Sequence, residues 1–342
     1  MPPYLLVKLY AWRGMLLSPQ FLQELAGSKD LSELANALKA THYSAEIAQT
    51  QQPYTALKLE HALRRRIIWI HYRIMTLVPR DKVIQALYLR YIARNVKTVL
   101  RGLHTGQSAE DIGALVDPYA EELIGVRDLL ARLLASDSLK EALNILGSYY
   151  PDLGGFTLYA ATGELSALDG DVDRWFYGRL SDALQKTPKS HRKEAQYLLK
   201  PLFYEFVLET ILRGKIWGLE ARMIRSFVKS LVEPELDPVI SVILECQSPA
   251  ELRSALSVVR REMVPTISEP TSMEDAITML KRGYRLMLRN RARGSFLRTV
   301  RDEVLAAALL LLLEDELTTL VGIASGIEQG ISSRALLDLL PL

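Results

Sequence analysis

The chain has 342 residues, 49% of them apolar and 24% charged, a balance that supports a large buried core and excludes a disordered chain. Forty-two basic residues against forty acidic ones leave a net charge of +2, so no global field recruits nucleic acid or an anionic membrane, and only local patches could. Cys246 is the only cysteine, which excludes a disulfide framework and a thiolate zinc cluster within the chain and points to a cytosolic address.

The opening, Met1-Pro-Pro-Tyr-Leu-Leu-Val-Lys8, lacks the apolar core and cleavage site of a signal peptide. Asp30-Leu-Ser-Glu33 predicts a helix start: the Asp oxygen satisfies free N–H groups of the first turn, and the Glu three residues on reaches back to the cap. Residues 44–55 are expected as a loop, and 57–77 and 82–103 as helices, from apolar residues at three- and four-residue steps. Ser138-Leu-Lys-Glu141 repeats the cap, a Gly-rich loop is expected over 151–171, and a helix over 172–184. After a short loop at 187–192, a helix over 194–212 contains Pro201, which predicts a kink or a boundary. Ser248-Pro-Ala-Glu251 is the third cap, with Pro249 at the first helical position. A loop at 264–272 and helices at 273–287 and 296–320 complete the chain. Its longest apolar run, 304–313, stops at Glu314-Asp-Glu316, short of the roughly 18 residues of a membrane span.

The caps recur about every 110 residues, and so does a second anchor, T-x-L-x-G-x-x-x-G. It reads Thr98 to Gly106 through Gly102, Thr210 to Gly218 through Gly214, and Thr318 to Gly326 through Gly322. The reading is all-α, with three similar helical modules at 1–120, 121–233 and 234–342. The glycines either end helices or allow close helix packing.

No motif for chemistry emerges. The five histidines, at 42, 61, 71, 104 and 191, lack zinc-ligand spacing, and neither a phosphate loop nor a dinucleotide fingerprint is present. Ser325 has no strand-turn-helix context for a nucleophile, and the acidic pairs Asp169 with Asp171 and Glu314 with Glu316 are expected to face solvent. No catalytic residue, cofactor or metal is therefore expected. Two basic clusters stand out, Arg64-Arg65-Arg66 and a run of cations from Lys281 to Arg301. They are either solvated helix faces or a docking patch for acidic protein surfaces, with Arg64, Arg65, Arg66, Arg289, Arg291 and Arg293 as the partner-binding candidates. Nucleic acid is the weaker reading.

Tyr10-Ala-Trp-Arg13-Gly-Met-Leu16-Leu17, followed by Phe21, Leu25, Leu31 and Thr41-His-Tyr43, resembles the N-terminal signature of the C subunit of archaeal-type rotary ATPases, the counterpart of the d subunit in eukaryotic vacuolar ATPases. The resemblance extends through Arg94-Asn95 to Arg101 and the closing Glu316-Leu-Thr-Thr to Gly330 and Leu336-Leu337; 151–171 is longer and richer in Gly than the family pattern. It implies three helical domains about a pseudo-threefold axis, forming a funnel between the membrane rotor ring and the central shaft. The implied role is a non-catalytic central-stalk subunit of an A-type ATP synthase or V-type ATPase that serves ion or proton transport. It would be present once per complex, peripheral to the membrane on its cytoplasmic side, with no span of its own. An open helical solenoid acting as a scaffold for unrelated partners, or an enzyme with an unrecognised site, are the competing readings.

Overall fold

The computed structural model describes residues 3–153, 155–260 and 263–339. Met1 and Pro2 of the N-terminal stretch, Gly154 within the expected 151–171 loop, and the last three residues of the third module lie outside them. The fold is all-α, and no strand occurs among the described residues. They group into two compact units, one formed by Met1–Tyr91, Asp117–Gly125 and Ala292–Leu342, the other by Ile92–Val116 and Val126–Arg291.

The first unit is built on the Asp302–Glu328 helix, which packs along Ala56–Leu77. No side chain from Val304 to Leu313 is more than 6% exposed, so the apolar run is explained by a helix buried on all sides. Glu316 follows in the same helix and is only 5% exposed. Its carboxylate accepts from the Leu17 N–H at 2.5 Å, the Tyr43 hydroxyl at 2.8 Å and His42 Nε2 at 3.1 Å, which ties the N-terminal segment to the core. His71 is fully buried, with Nε2 donating to the Ile84 carbonyl at 2.9 Å and Nδ1 3.2 Å from the Tyr91 hydroxyl. Burial pulls its pKa down to about 3.

The second unit centres on the Lys189–Ile216 helix, whose Phe206, Val207, Leu208 and Ile211 enter the core. Pro201 neither ends nor bounds this helix. The N–H it lacks would have bonded the Tyr197 carbonyl, and Arg291 donates to that carbonyl instead at 2.6 Å.

Three expected loops contain helix, and two of them, 151–171 and 187–192, are mostly helical. Ser44–Ala48 forms a short helix within 44–55, and only Thr187 and Pro188 separate Leu165–Lys186 from Lys189–Ile216. Residues 151–171 hold the Thr157–Thr162 helix and the start of Leu165–Lys186. The cap residue of Thr157–Thr162, Phe156, has φ 47° and makes no capping bond; Asp171, fully buried, reaches in from the next helix to accept from the Leu158 and Tyr159 N–H groups at 3.1 and 2.9 Å. The loop at 264–272 is as expected. The helix expected from 296 instead belongs to Met273–Arg298 as far as Arg298, and Asp302 begins the next.

All three caps form. Asp30, Ser138 and Ser248 accept from the N–H of Glu33, Glu141 and Glu251, and each Glu carboxylate accepts from the N–H just before its cap residue, at 2.7–2.9 Å. The glycine anchor needs a correction in its third copy. The Gly102, Gly214 and Gly326 carbonyls each accept a 2.9 Å bond from the residue five positions on, and the glycines four residues later, Gly106, Gly218 and Gly330, have φ of 69–71°. A Cβ at Gly102, Gly214 or Gly326 would fall within 2.9 Å of a side chain ten residues on, Ile112, Ile224 and Leu336 respectively. The third repeat therefore aligns on Gly326 and Gly330, four residues beyond the expected Gly322 and Gly326.

Candidate functional site

Arg64, Arg65 and Arg66 lie on the Ala56–Leu77 helix, where consecutive residues turn by about 100° and cannot share a face. Each meets a different internal carboxylate. Arg64 reaches Glu60 at 2.8 Å, and Arg65 forms a two-pronged pair with buried Asp117 at 2.6 and 3.0 Å. Arg66 lies 3.9 Å from Glu46 and stacks its guanidinium 4.9 Å from the Trp69 ring. Arg65 alone keeps about half of its side chain in water, at 49%.

The second cluster divides in the same way. Arg289 is 7% exposed, and Arg291 lies over the Tyr197 ring at 4.5 Å while bonding that residue's carbonyl. Arg293 is exposed. Of the six candidates, Arg65 and Arg293 present the most accessible charge.

The second unit also contains a cleft of about 170 Å³ that pattern reading missed. Lys97 and Arg101, one turn apart on Lys82–His104, face Asp173 and Asp169, one turn apart on Leu165–Lys186. Lys97 donates to Asp173 at 2.7 Å, and Arg101 holds Asp169 through two nitrogens. Glu209 takes Arg213 at 2.8 Å and Lys281 at 3.2 Å. Burial, together with the charges of Glu209 and Asp173, pushes the nearby Glu205 carboxyl up to about 7 against the opposing pull of Lys281. The expectation that the acidic pairs face solvent fails, because Asp171 and Glu316 are buried hydrogen-bond hubs and Asp169 is paired. Helical phase was the available signal: Asp171 lies one turn from Leu168 and Trp175, both buried.

This arrangement of paired charges can hold helices in register. Among the described residues no group of His, Cys, Asp or Glu is placed to hold a metal ion, and no helix is long and apolar enough to cross a membrane. Residues 5–338 match the family described as ATP synthase (C/AC39) subunit. The chain belongs to that family. Curated relatives of this C/AC39 chain include the C subunit of the A-type ATP synthase of Haloferax volcanii, 28% identical over 54% of this chain and 53% of that protein. The Methanosarcina acetivorans protein of the same name is 26% identical over 64% and 59% respectively, and that of Thermococcus onnurineus 23% over 72% and 66%. The chain thus spans between about half and three-fifths of the length of the first two relatives.

Proposed function

We propose that this C/AC39 protein is a non-catalytic central-stalk element that couples the membrane rotor ring to the central shaft of an A/V-type ATPase. It works as one copy per complex, without a cofactor or nucleic acid of its own, on the cytoplasmic side of the membrane. The observation that carries the reading is the family match across nearly the whole chain, together with relatives named as the C subunit of A-type ATP synthases. The physical chemistry suits the task. Torque transmitted through a protein is lost wherever helices slide, and close-packed interiors resist sliding. Here the Asp302–Glu328 helix is buried along most of its length, and Glu316 and the Lys97–Asp173 and Arg101–Asp169 pairs tie helices together. Three sequence modules, 1–120, 121–233 and 234–342, would each contribute one capped helix and one glycine seat. Arginines of the first cluster would meet acidic surfaces of the membrane-bound assembly, with Arg65 foremost because about half of its side chain stays in water.

The reading is tested by affinity capture of the tagged full chain from detergent-solubilised native membranes. Recovery of the ring and shaft proteins of a rotary ATPase in stoichiometric amounts is expected. Recovery of a different assembly, or of none, would overturn it.

A further inference from the structure

Two stretches of this chain contain no acidic residue, 1–23 and 276–301, although the protein as a whole is nearly neutral. The Pro3–Gly14 helix from the first and the segment from Ala292 onward in the second lie in the same compact unit. They are joined there: the Tyr10 hydroxyl donates to the Phe296 carbonyl at 3.1 Å, the two rings meet edge-on at 5.4 Å, and the Arg13 guanidinium lies 4.7 Å from the Phe296 ring.

On one side of this joint, Leu5 and Leu9 are fully buried while Tyr4, Val7 and Tyr10 are 57%, 67% and 40% exposed. Lys8 stands among them with its ammonium 4.4 Å from the Tyr4 ring and 5.7 Å from that of Trp12. On the other side, Leu297 is 83% exposed and Val300 76%. Arg298 and Arg293 are exposed beside them, Arg293 one helical turn before Leu297. Apolar side chains this free of neighbours project from a helix flank and from the turn between two long helices.

We propose that this surface contacts the interfacial layer of an anionic lipid bilayer, with Leu297, Val300 and Val7 entering the headgroup and acyl boundary and Lys8, Arg293 and Arg298 pairing with lipid phosphates. Charge complementarity carries the choice: the cations Lys8, Arg293 and Arg298 stand with aromatic rings and exposed apolar side chains, and the nearest acids in sequence, Asp302 and Glu303, begin the next helix and are only partly exposed. Form supports it as well. A fluid lipid layer closes around protruding side chains, whereas a protein partner would have to offer a fitted pocket for each. The inference goes beyond the coupling reading and does not depend on it, since a protein held by protein contacts alone needs no affinity for lipid.

The test is flotation of the full chain with protein-free vesicles, of phosphatidylcholine alone or of equal parts phosphatidylcholine and phosphatidylglycerol. Flotation with the anionic vesicles, weakening as salt is raised, is expected. Leu297→Glu with Val300→Glu should reduce the bound fraction about tenfold and Arg298→Glu about fivefold, both with unchanged circular dichroism. Val258→Glu, at an 85% exposed site in the other unit, should bind as the parent does. The proposal is overturned if the parent ignores anionic vesicles, if it floats equally with both kinds, or if the patch variants bind unchanged. It is equally overturned if the chain ignores protein-free vesicles yet binds membranes carrying the ATP synthase, which would assign the patch to a protein partner.

Discussion

Replacing Gly102 by alanine tests the repeated glycine seat. A Cβ there would stand 2.3 Å from Ile112 Cγ1 and 2.6 Å from Cδ1, where carbon atoms prefer about 3.5–4.0 Å, so Ile112 must retreat by more than about 1 Å. Its branched side chain has few rotamers to retreat into. Overpacking of this kind costs about 1–3 kcal/mol, against about 1 kcal/mol gained from the better helix propensity of alanine, for a net loss of roughly 0–2 kcal/mol. Gly178→Ala is the control, because that glycine lies inside the Leu165–Lys186 helix with nothing near its missing Cβ; it should stabilise by up to about 1 kcal/mol. Urea unfolding of the full-length variants, followed by circular dichroism, measures the difference. A cycle with Ile112→Ala should recover about 1–3 kcal/mol of coupling, since the shorter side chain leaves room for the new methyl group. If Gly102→Ala stabilises as much as Gly178→Ala and shows no coupling, the seat is not a packing constraint.

His71 should make the fold sensitive to acid. Its folded pKa of about 3 lies below the ordinary value near 6.5, so the unfolded chain binds a proton first and stability falls as pH drops through that window, by roughly 5 kcal/mol in all. His71→Gln, though less stable at pH 7, should lose about one proton from the slope of stability against pH, as read from urea midpoints between pH 7 and 4. Glu205 acts in the opposite direction: with its folded pKa raised to about 7, stability falls as pH rises from about 4.5 to 7, and Glu205→Gln should be the more stable form at pH 8 by about 1–3 kcal/mol while gaining little at pH 4. Arg65→Glu should cost about 1–3 kcal/mol of stability because it sets a like charge against buried Asp117, whereas exposed Arg293→Glu should stay within about 0.5 kcal/mol of the parent and still weaken membrane binding at low salt. Thermal unfolding and membrane sedimentation, run on both variants, separate the two effects.

What could be read from the sequence was whatever acts over a few residues. The caps at Asp30, Ser138 and Ser248 were legible because a side chain bonds a backbone group three positions on, and the long helices because apolar residues repeat at the helical period. The Thr157–Thr162 helix was not, because its cap comes from Asp171 in the following helix, and only the tertiary packing reveals that supply. The third glycine register was ambiguous for a definite reason. Gly322, Gly326 and Gly330 stand four apart, so two glycine alignments satisfy the same spacing, and the tertiary contact of Leu336 with Gly326, the bond to the Gly326 carbonyl and the left-handed Gly330 decide between them. The arginines were legible as cations but not as partners: whether Arg291 docks a second protein or satisfies the carbonyl freed by Pro201 depends on a contact 94 residues away in the chain. The ladder of Lys97 and Arg101 against Asp173 and Asp169 was hidden likewise, since i,i+4 spacing marks a face and not what it faces.

The central claim is mechanical coupling, and it is tested most directly in membrane vesicles stripped of this protein. ATP-driven ion uptake and ATP hydrolysis would be measured together before and after the purified chain is added back. Coupling predicts that stripping abolishes uptake while some hydrolysis persists, and that the full chain restores uptake in proportion to the amount rebound. Uptake that survives in fully stripped vesicles, or that stays lost although the chain rebinds, would contradict the account.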